Sequence, residues 1–104
     1  MIKPILILSA LALAAGSSMA APDEAMTKAG CMACHGKDKK IVGPSFKEIA
    51  AKYKGDKEAS TKLIEKVRKG GSGVWGPIPM PPNAPEKIND ADLKGAVDQI
   101  LKTQ

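Results

Sequence analysis

The chain has 104 residues, with 16 Lys and Arg against 11 Asp and Glu and only three aromatic side chains. This length fits one small domain, near the size at which a protein core alone is marginal and a bound cofactor helps. The sequence has no basic, aromatic-interleaved stretch, so we expect no nucleic-acid partner.

Residues 1–20 have the composition of a secretory signal peptide. Lys3 charges the first part, an apolar run over residues 5–15 follows, and small residues precede a predicted cleavage after Ala20, with the next residue as the alternative. The run is shorter than the ~20 residues that a membrane-spanning helix needs. We therefore expect an exported mature domain of residues 21–104 with no stable membrane insertion.

Hydrophobic spacing and capping residues predict four helices. Their expected ranges are 23–34, 46–53, 57–69 and the segment from the cap Asn89 through Leu101. The last has apolar residues at i, i+3, i+4, i+7 and i+8, which is the pattern of one buried face. No segment has a convincing period of two, so the predicted class is all-α.

Two further expectations concern the helix ends. Ser45 and Glu48 form a capping box at the start of the second helix. Asp23 is expected to cap the first helix, and Gly30 inside that helix would let the C-terminal helix approach closely.

The first predicted helix ends in Cys31-Met-Ala-Cys34-His35, the sequence form of a c-type haem attachment site. Residues three and four apart share a helical face, so the two thiols and the imidazole can point at one macrocycle. The thiols would form thioethers with the haem vinyl groups, and His35 Nε2 would bind the iron.

Other uses of these cysteines fit less well. A redox Cys-x-x-Cys motif belongs near a βαβ pattern, which is not seen around this one. A zinc site would need a second pair of ligands, and the chain has no other Cys or His. A disulfide between Cys31 and Cys34 would close a very short, strained loop.

A proline-rich arm over residues 73–83 carries the candidate for the other side of the iron. Five of the eight prolines of the chain lie between Pro77 and Pro85, and each fixes φ and restricts its neighbour. Met80 is centred in this stiff arm, and electron-transfer cytochromes hold haem iron between His and Met. The alternative for Met80 is a gap-filling side chain in the core.

Elimination also favours Met80. Two of the other four methionines belong to the predicted signal peptide. Met32 lies inside the attachment motif and cannot reach the opposite face, and Met26 fits a packing role on the first helix.

Three further residues each have a structural and a functional interpretation. The Pro44 carbonyl either follows a turn or accepts the His35 Nδ1 proton and sets the tautomer. Trp75 is either core or donates its indole N–H to a haem propionate. Asn83 either ends the arm or donates from its amide to the Met80 sulfur.

The mature chain resembles the small bacterial class I cytochromes c of the cytochrome c-551/c-552 group. The matching motifs are residues 30–35, 42–44, 49–53 and 70–83, the last reading Gly-Val-Trp-Gly-Pro-Ile-Pro-Met-Pro-Pro-Asn from Gly73. The resemblance implies a few helices folded around one covalent haem c. It implies that Cys31 and Cys34 carry the haem, that His35 and Met80 ligate its iron, and that Pro44, Trp75 and Asn83 have the functional roles above. It also offers Lys66 or Arg68 as a further neighbour of a propionate.

The expected function is soluble one-electron transfer in the periplasm by a monomer, not enzyme catalysis. A nitrite reductase, a terminal oxidase, a bc1-type complex and a photosynthetic reaction centre are the partners that the resemblance suggests. Exposed lysines would either steer acidic partners to the haem edge or only solubilise the surface; they are Lys37, Lys39, Lys40, Lys47 and Lys52. The rivals are a haem sensor or peroxidase-like enzyme with an open sixth position, and a thiol–disulfide module.

Overall fold

The computed structural model describes residues 21–104, and the predicted signal peptide, residues 1–20, lies outside the described residues. The elements in chain order are α1 (Pro22–Ala29), a 3-10 turn (Cys31–Ala33), α2 (Phe46–Lys52), α3 (Ala59–Lys69), β1 (Gly71–Gly73), β2 (Gly76–Met80) and α4 (Asp90–Leu101). Within these described residues, none of the helices has the length and apolar character needed to cross a membrane.

Helix α1 is shorter than predicted. Pro22 occupies its first turn, where a missing N–H costs nothing, and Asp23 does not cap it. The helix ends at Ala29 because Gly30 adopts a left-handed conformation, with φ of 81°, and its N–H closes the last turn. The cysteine motif therefore lies on a separate 3-10 turn. Open space surrounds the position of a Cβ on Gly30, so this glycine ends the helix and does not serve helix–helix contact.

The predicted caps of α2 and α4 are confirmed. Ser45 Oγ accepts the Glu48 N–H at 3.1 Å, and Glu48 Oε2 accepts the Ser45 N–H at 3.2 Å. Asn89 Oδ1 accepts the Asp92 N–H at 2.8 Å at the start of α4. Helix α3 begins two residues later than predicted, because the chain before it forms a turn in which Asp56 Oδ1 accepts the Glu58 N–H.

An antiparallel hairpin of β1 and β2 was not predicted. It pairs Gly71 with Met80 and Gly73 with Gly76. Glycine and proline dominate both strands, and neither residue has strand propensity, so no period of two could be read. The stiff extended arm expected over residues 73–83 contains β2.

The core is centred on α4, which contacts each of the other three helices. Buried apolar side chains from α1, α2 and α4 form it; they are Ala25, Met26, Ala29, Phe46, Ile49, Leu93, Ala96 and Val97, together with Ile88. Leu63, Ile64 and Val67 of α3 pack against this cluster in a half-buried state. Residues of α2, α3 and α4, the cysteine turn and the hairpin line one cleft.

Candidate haem site

One cleft collects the side chains that the sequence singles out. Cys31, Cys34 and His35 line it from one part of the chain, and Trp75 and Met80 line it from the hairpin. Its volume is about 260 Å³. The remaining wall is largely apolar and includes Phe46, Ile49, Leu63, Val67 and Val97.

The cysteine side of the cleft is built by short-range hydrogen bonds. Cys31 O accepts the Cys34 N–H at 3.2 Å and the His35 N–H at 3.0 Å, which keeps both thiols and the imidazole on one tight turn. Both cysteines are half-buried, and no disulfide joins them. Burial raises the pKa of the Cys31 thiol, so the uncharged thiol is favoured there.

The His35 ring is held by the loop that follows it. Its Nδ1 lies 2.6 Å from Pro44 O. Because a carbonyl oxygen only accepts, Nδ1 carries the proton and Nε2 keeps a lone pair for a metal. The ring also stacks on Phe46, with centroids 5.6 Å apart and planes inclined by 22°. Of the two interpretations of the Pro44 carbonyl, acceptance of the His35 Nδ1 proton is the one that this hydrogen bond supports.

The same loop passes so close to the imidazole that only glycine fits at position 43. A Cβ on Gly43 would lie 2.6 Å from His35 Cε1 and 3.0 Å from Nδ1. Two backbone amides, those of Val42 and Gly43, donate to Cys34 O at 3.1 and 2.8 Å. The loop therefore clamps the ring and fixes its orientation.

The hydrogen bonds of Asn83 differ from the expectation. Asn83 is only 4% exposed, and its Nδ2 donates to Val67 O at 3.2 Å and to Pro81 O at 3.1 Å. An amide nitrogen has two hydrogens, so both are used on carbonyl oxygens and the expected donation to the Met80 sulfur is not formed. The amide instead ties the end of the arm to α3.

Trp75 lies at the mouth of the cleft, in the turn between the two strands. It is 41% exposed, which argues against a purely core role. The Lys52 ammonium lies 5.3 Å from the ring centroid, so a cation–π contact joins α2 to the hairpin. No sequence pattern indicates this pair, because residues 23 positions apart meet only in the folded chain.

Of the two basic candidates on α3, only Lys66 lines the cleft. Arg68 points to the other side, where its guanidinium donates to Asn83 O, Ile88 O and Asp90 Oδ1. The structure therefore does not support Arg68 as a propionate neighbour.

The donor set fits a covalently bound haem. Two thiols, one imidazole nitrogen and one thioether sulfur face a cleft with apolar walls, and these are the groups that attach and ligate haem c. Among residues 21–104, no cluster of three or more His, Cys, Asp or Glu side chains could hold a metal ion such as zinc.

Comparison with known proteins agrees with this chemistry. Residues 20–104 match the family model for cytochrome c, and the chain belongs to this family. A cytochrome c2 of Rubrivivax gelatinosus is 52% identical over 84 residues, which cover 81% of this chain and 99% of that protein. A cytochrome c-551 of Pseudomonas aeruginosa is 46% identical over 103 residues, which cover 95% of this chain and 96% of that protein.

The fold also matches solved structures of the family. Wild-type Nitrosomonas europaea cytochrome c552 superposes with a TM-score of 0.70 at 45% identity, over 79% of this chain and 99% of that one. The predicted class I cytochrome c fold is thus confirmed, with the small hairpin added to the four helices. The protein binds one covalent haem c and is an electron carrier, not an enzyme.

Proposed function

We propose that the protein is a periplasmic one-electron carrier whose haem is attached through Cys31 and Cys34 and ligated by His35 and Met80. The observation that carries this proposal is the single cleft, which all four side chains line. The haem supplies an iron that alternates between the ferric and ferrous states. The protein side chains around the haem hold its ligands in place and exclude water.

These side chains determine the reduction potential of the haem and the geometry of the iron site. The Pro44 carbonyl keeps His35 in the tautomer that can bind iron. Met80 would fill the opposite position and leave no site for a substrate, and a His–Met pair raises the reduction potential. The apolar wall excludes water, which disfavours the more charged ferric state and raises the potential further. The stiff arm and clamped ring keep the geometry similar in both states.

Replacement of Met80 tests the ligand assignment. The ferric wild-type protein should show the weak sulfur-to-iron charge-transfer band of His–Met haem, and Met80→Ala should lose it and acquire affinity for added imidazole. Met32→Ala is the matched control, because Met32 is 41% exposed and lies within the attachment motif. An unchanged band in Met80→Ala would contradict the proposal.

The same samples separate the rival functions. A haem sensor or peroxidase-like enzyme needs an open sixth position, so its wild-type form would bind imidazole without any mutation. A thiol–disulfide module would not retain haem after denaturation, whereas a thioether-linked haem stays with the unfolded chain.

Acidic redox proteins are the partners that the surface fits best. Exposed apolar side chains surround the cleft mouth, namely Val42, Val74, Trp75 and Ile78. The lysines at positions 37, 39, 40, 47 and 52 are exposed, and Lys40 itself lines the cleft. An apolar contact with a basic rim would guide a negatively charged protein onto the haem edge.

The salt dependence of electron transfer tests this steering. The rate with the host's nitrite reductase, terminal oxidase or bc1-type complex should fall steeply as ionic strength rises, because the Debye length shrinks from about 30 Å at 0.01 M to about 8 Å at 0.15 M. A flat profile with every partner would leave the lysines as solubilising charge only.

We also propose that residues 1–20 direct export and are then cleaved from the protein. Amino-terminal sequencing of the protein purified from a periplasmic extract should begin at Ala21, or one residue later. A retained residue 1 would contradict cleavage.

A further inference from the structure

The Met80 arm is seated on the last turn of α3. Asn83 follows Met80 by three residues, and both its backbone N–H and its Nδ2 donate to Val67 O, at 3.0 and 3.2 Å. Because Asn83 is 4% exposed, these bonds are shielded from water and gain strength. The segment after Met80 is therefore attached to α3 at one carbonyl.

Arg68, the next residue of α3, also holds this segment. Its Nη1 donates to Asn83 O at 3.2 Å and to Ile88 O at 2.7 Å, and its Nη2 donates to Asp90 Oδ1 at 2.6 Å. The Arg68 side chain is 19% exposed, whereas that of Asp90 is 92% exposed. The inner, charge-assisted bonds to the two carbonyls are thus better shielded than the outer ion pair.

The planar guanidinium suits this position because its donors point in fixed directions. It joins the end of the arm, the turn before α4 and the first turn of α4. Since Asn83 is bonded through its N–H, its amide side chain and its carbonyl, the peptide three residues from Met80 has little freedom to move away from α3.

We propose that Arg68 is a positioning residue for the iron ligand Met80. By holding Asn83, it limits how often the arm opens and Met80 leaves the iron. This inference rests on the proposed ligation by Met80. Arg68 itself lies outside the cleft, so it acts only through the backbone of the arm.

The test measures departure of Met80 in the haem-loaded protein. Carbon monoxide binds ferrous iron only after Met80 leaves, so its binding rate at saturating concentration reports the opening of the arm. Arg68→Met removes the donors and keeps an apolar stem, and it should raise this rate about tenfold or more. In the ferric protein the pH at which the charge-transfer band is lost should fall by about one unit, because a tenfold change in the opening equilibrium corresponds to one pH unit.

Three control variants separate positioning from charge and from global stability. Lys69→Met removes a neighbouring charge whose ion pair with Glu65 lies away from the arm, and it should leave the rate within about twofold. Asp90→Asn removes only the exposed outer partner and should do the same. Leu93→Ala destabilises the core, where Leu93 is 2% exposed, and Leu93 does not line the cleft. A second test variant, Arg68→Lys, keeps the charge but loses the planar guanidinium, so it should give an intermediate rate. It replaces Arg68→Met in the test if Arg68→Met does not fold.

The outcomes distinguish the inference from the proposed function. A wild-type protein without the band would overturn both, since Met80 would then not be a ligand. A wild-type band with carbon monoxide rates equal in the Arg68 variants and the wild type would overturn only the role of Arg68. Equal acceleration by Leu93→Ala and Arg68→Met at matched loss of unfolding free energy would also overturn it, because opening would then follow global stability.

Discussion

Replacement of Gly70 by alanine tests how closely the Met80 arm is fitted to α3. Gly70 follows the last residue of α3 and has φ of 68° and ψ of −157°, a conformation that is essentially restricted to glycine. A Cβ there would fall against Met80 O, 2.8 Å from Pro82 N and 2.9 Å from Pro81 C. These are backbone atoms of a proline-stiffened segment, so none can swing aside as the tip of a side chain could.

The expected cost has two parts. Forcing alanine into this backbone conformation costs about 1–3 kcal/mol, and crowding a packed contact costs typically about 1–3 kcal/mol more. Gly55 supplies the control, because it also has positive φ, 81°, but nothing lies within 4 Å of its Cβ position. Gly55→Ala should therefore cost only the backbone part, about 1–2 kcal/mol.

Urea unfolding of the haem-loaded variants, followed by far-ultraviolet circular dichroism, gives both free energies. We expect Gly70→Ala to be the less stable of the two and to show a weaker sulfur-to-iron band, since the arm must shift by the width of the new methyl group. If the two variants lose the same free energy to within about 0.5 kcal/mol, with the band intact in both, the close fit of Gly70 to the arm is refuted.

Three further substitutions test other contacts. Ser45→Ala should cost about 1 kcal/mol in urea unfolding, because it removes a buried cap of α2; no loss would mean that the capping box contributes nothing. Gly43→Ala should cost about 1–3 kcal/mol and shift the reduction potential, because its Cβ would lie 2.6 Å from His35 Cε1; an unchanged potential would contradict the clamp on the ring. The hydrogen bond from Lys94 holds the pKa of Asp98 below its ordinary 3.8. Because the folded-state pKa is the lower one, the ionised carboxylate stabilises the fold above about pH 3.8, and this contribution is lost as the pH falls through the folded value. Asp98→Asn should therefore flatten the decline of stability below pH 3.8, and an unchanged acid profile would exclude this pair as its source.

The features that sequence predicted well depend on residues close together in the chain. The capping box of α2 spans four residues, and the haem motif spans five. The Pro44 hydrogen bond to His35 joins residues nine apart within one loop. In each case the chemistry of the residues themselves, hydroxyl with amide or carbonyl with imidazole, determines the partner.

The features that sequence missed depend on distant contacts or on a single backbone angle. Whether Gly30 continues the first helix or ends it is decided by one positive φ, which helix propensity does not reveal. The amide of Asn83 has several acceptors within reach of a flexible chain, and only docking on α3 selects Val67 O. Lys66 and Arg68 are two residues apart in α3 and so point to different sides, and the burial of the helix decides which of them faces the cleft.

The two sides of the cleft are held in different ways, which predicts an order of opening. The Gly43 N–H donates at 2.8 Å to the carbonyl oxygen of Cys34, one of the two attachment cysteines, nine residues away. The Asn83 N–H donates to Val67 O, 16 residues away, at 3.0 Å. A longer loop is freed when the second bond breaks, and the covalent haem restrains only the first, so the arm should be the less stable unit. Native-state hydrogen exchange should therefore give the Asn83 amide a smaller opening free energy than the Gly43 amide, with Arg68→Met lowering the former alone. Equal values for the two amides would mean that the cleft opens as one cooperative unit, and Met80 could then leave only when the His35 loop unfolds as well.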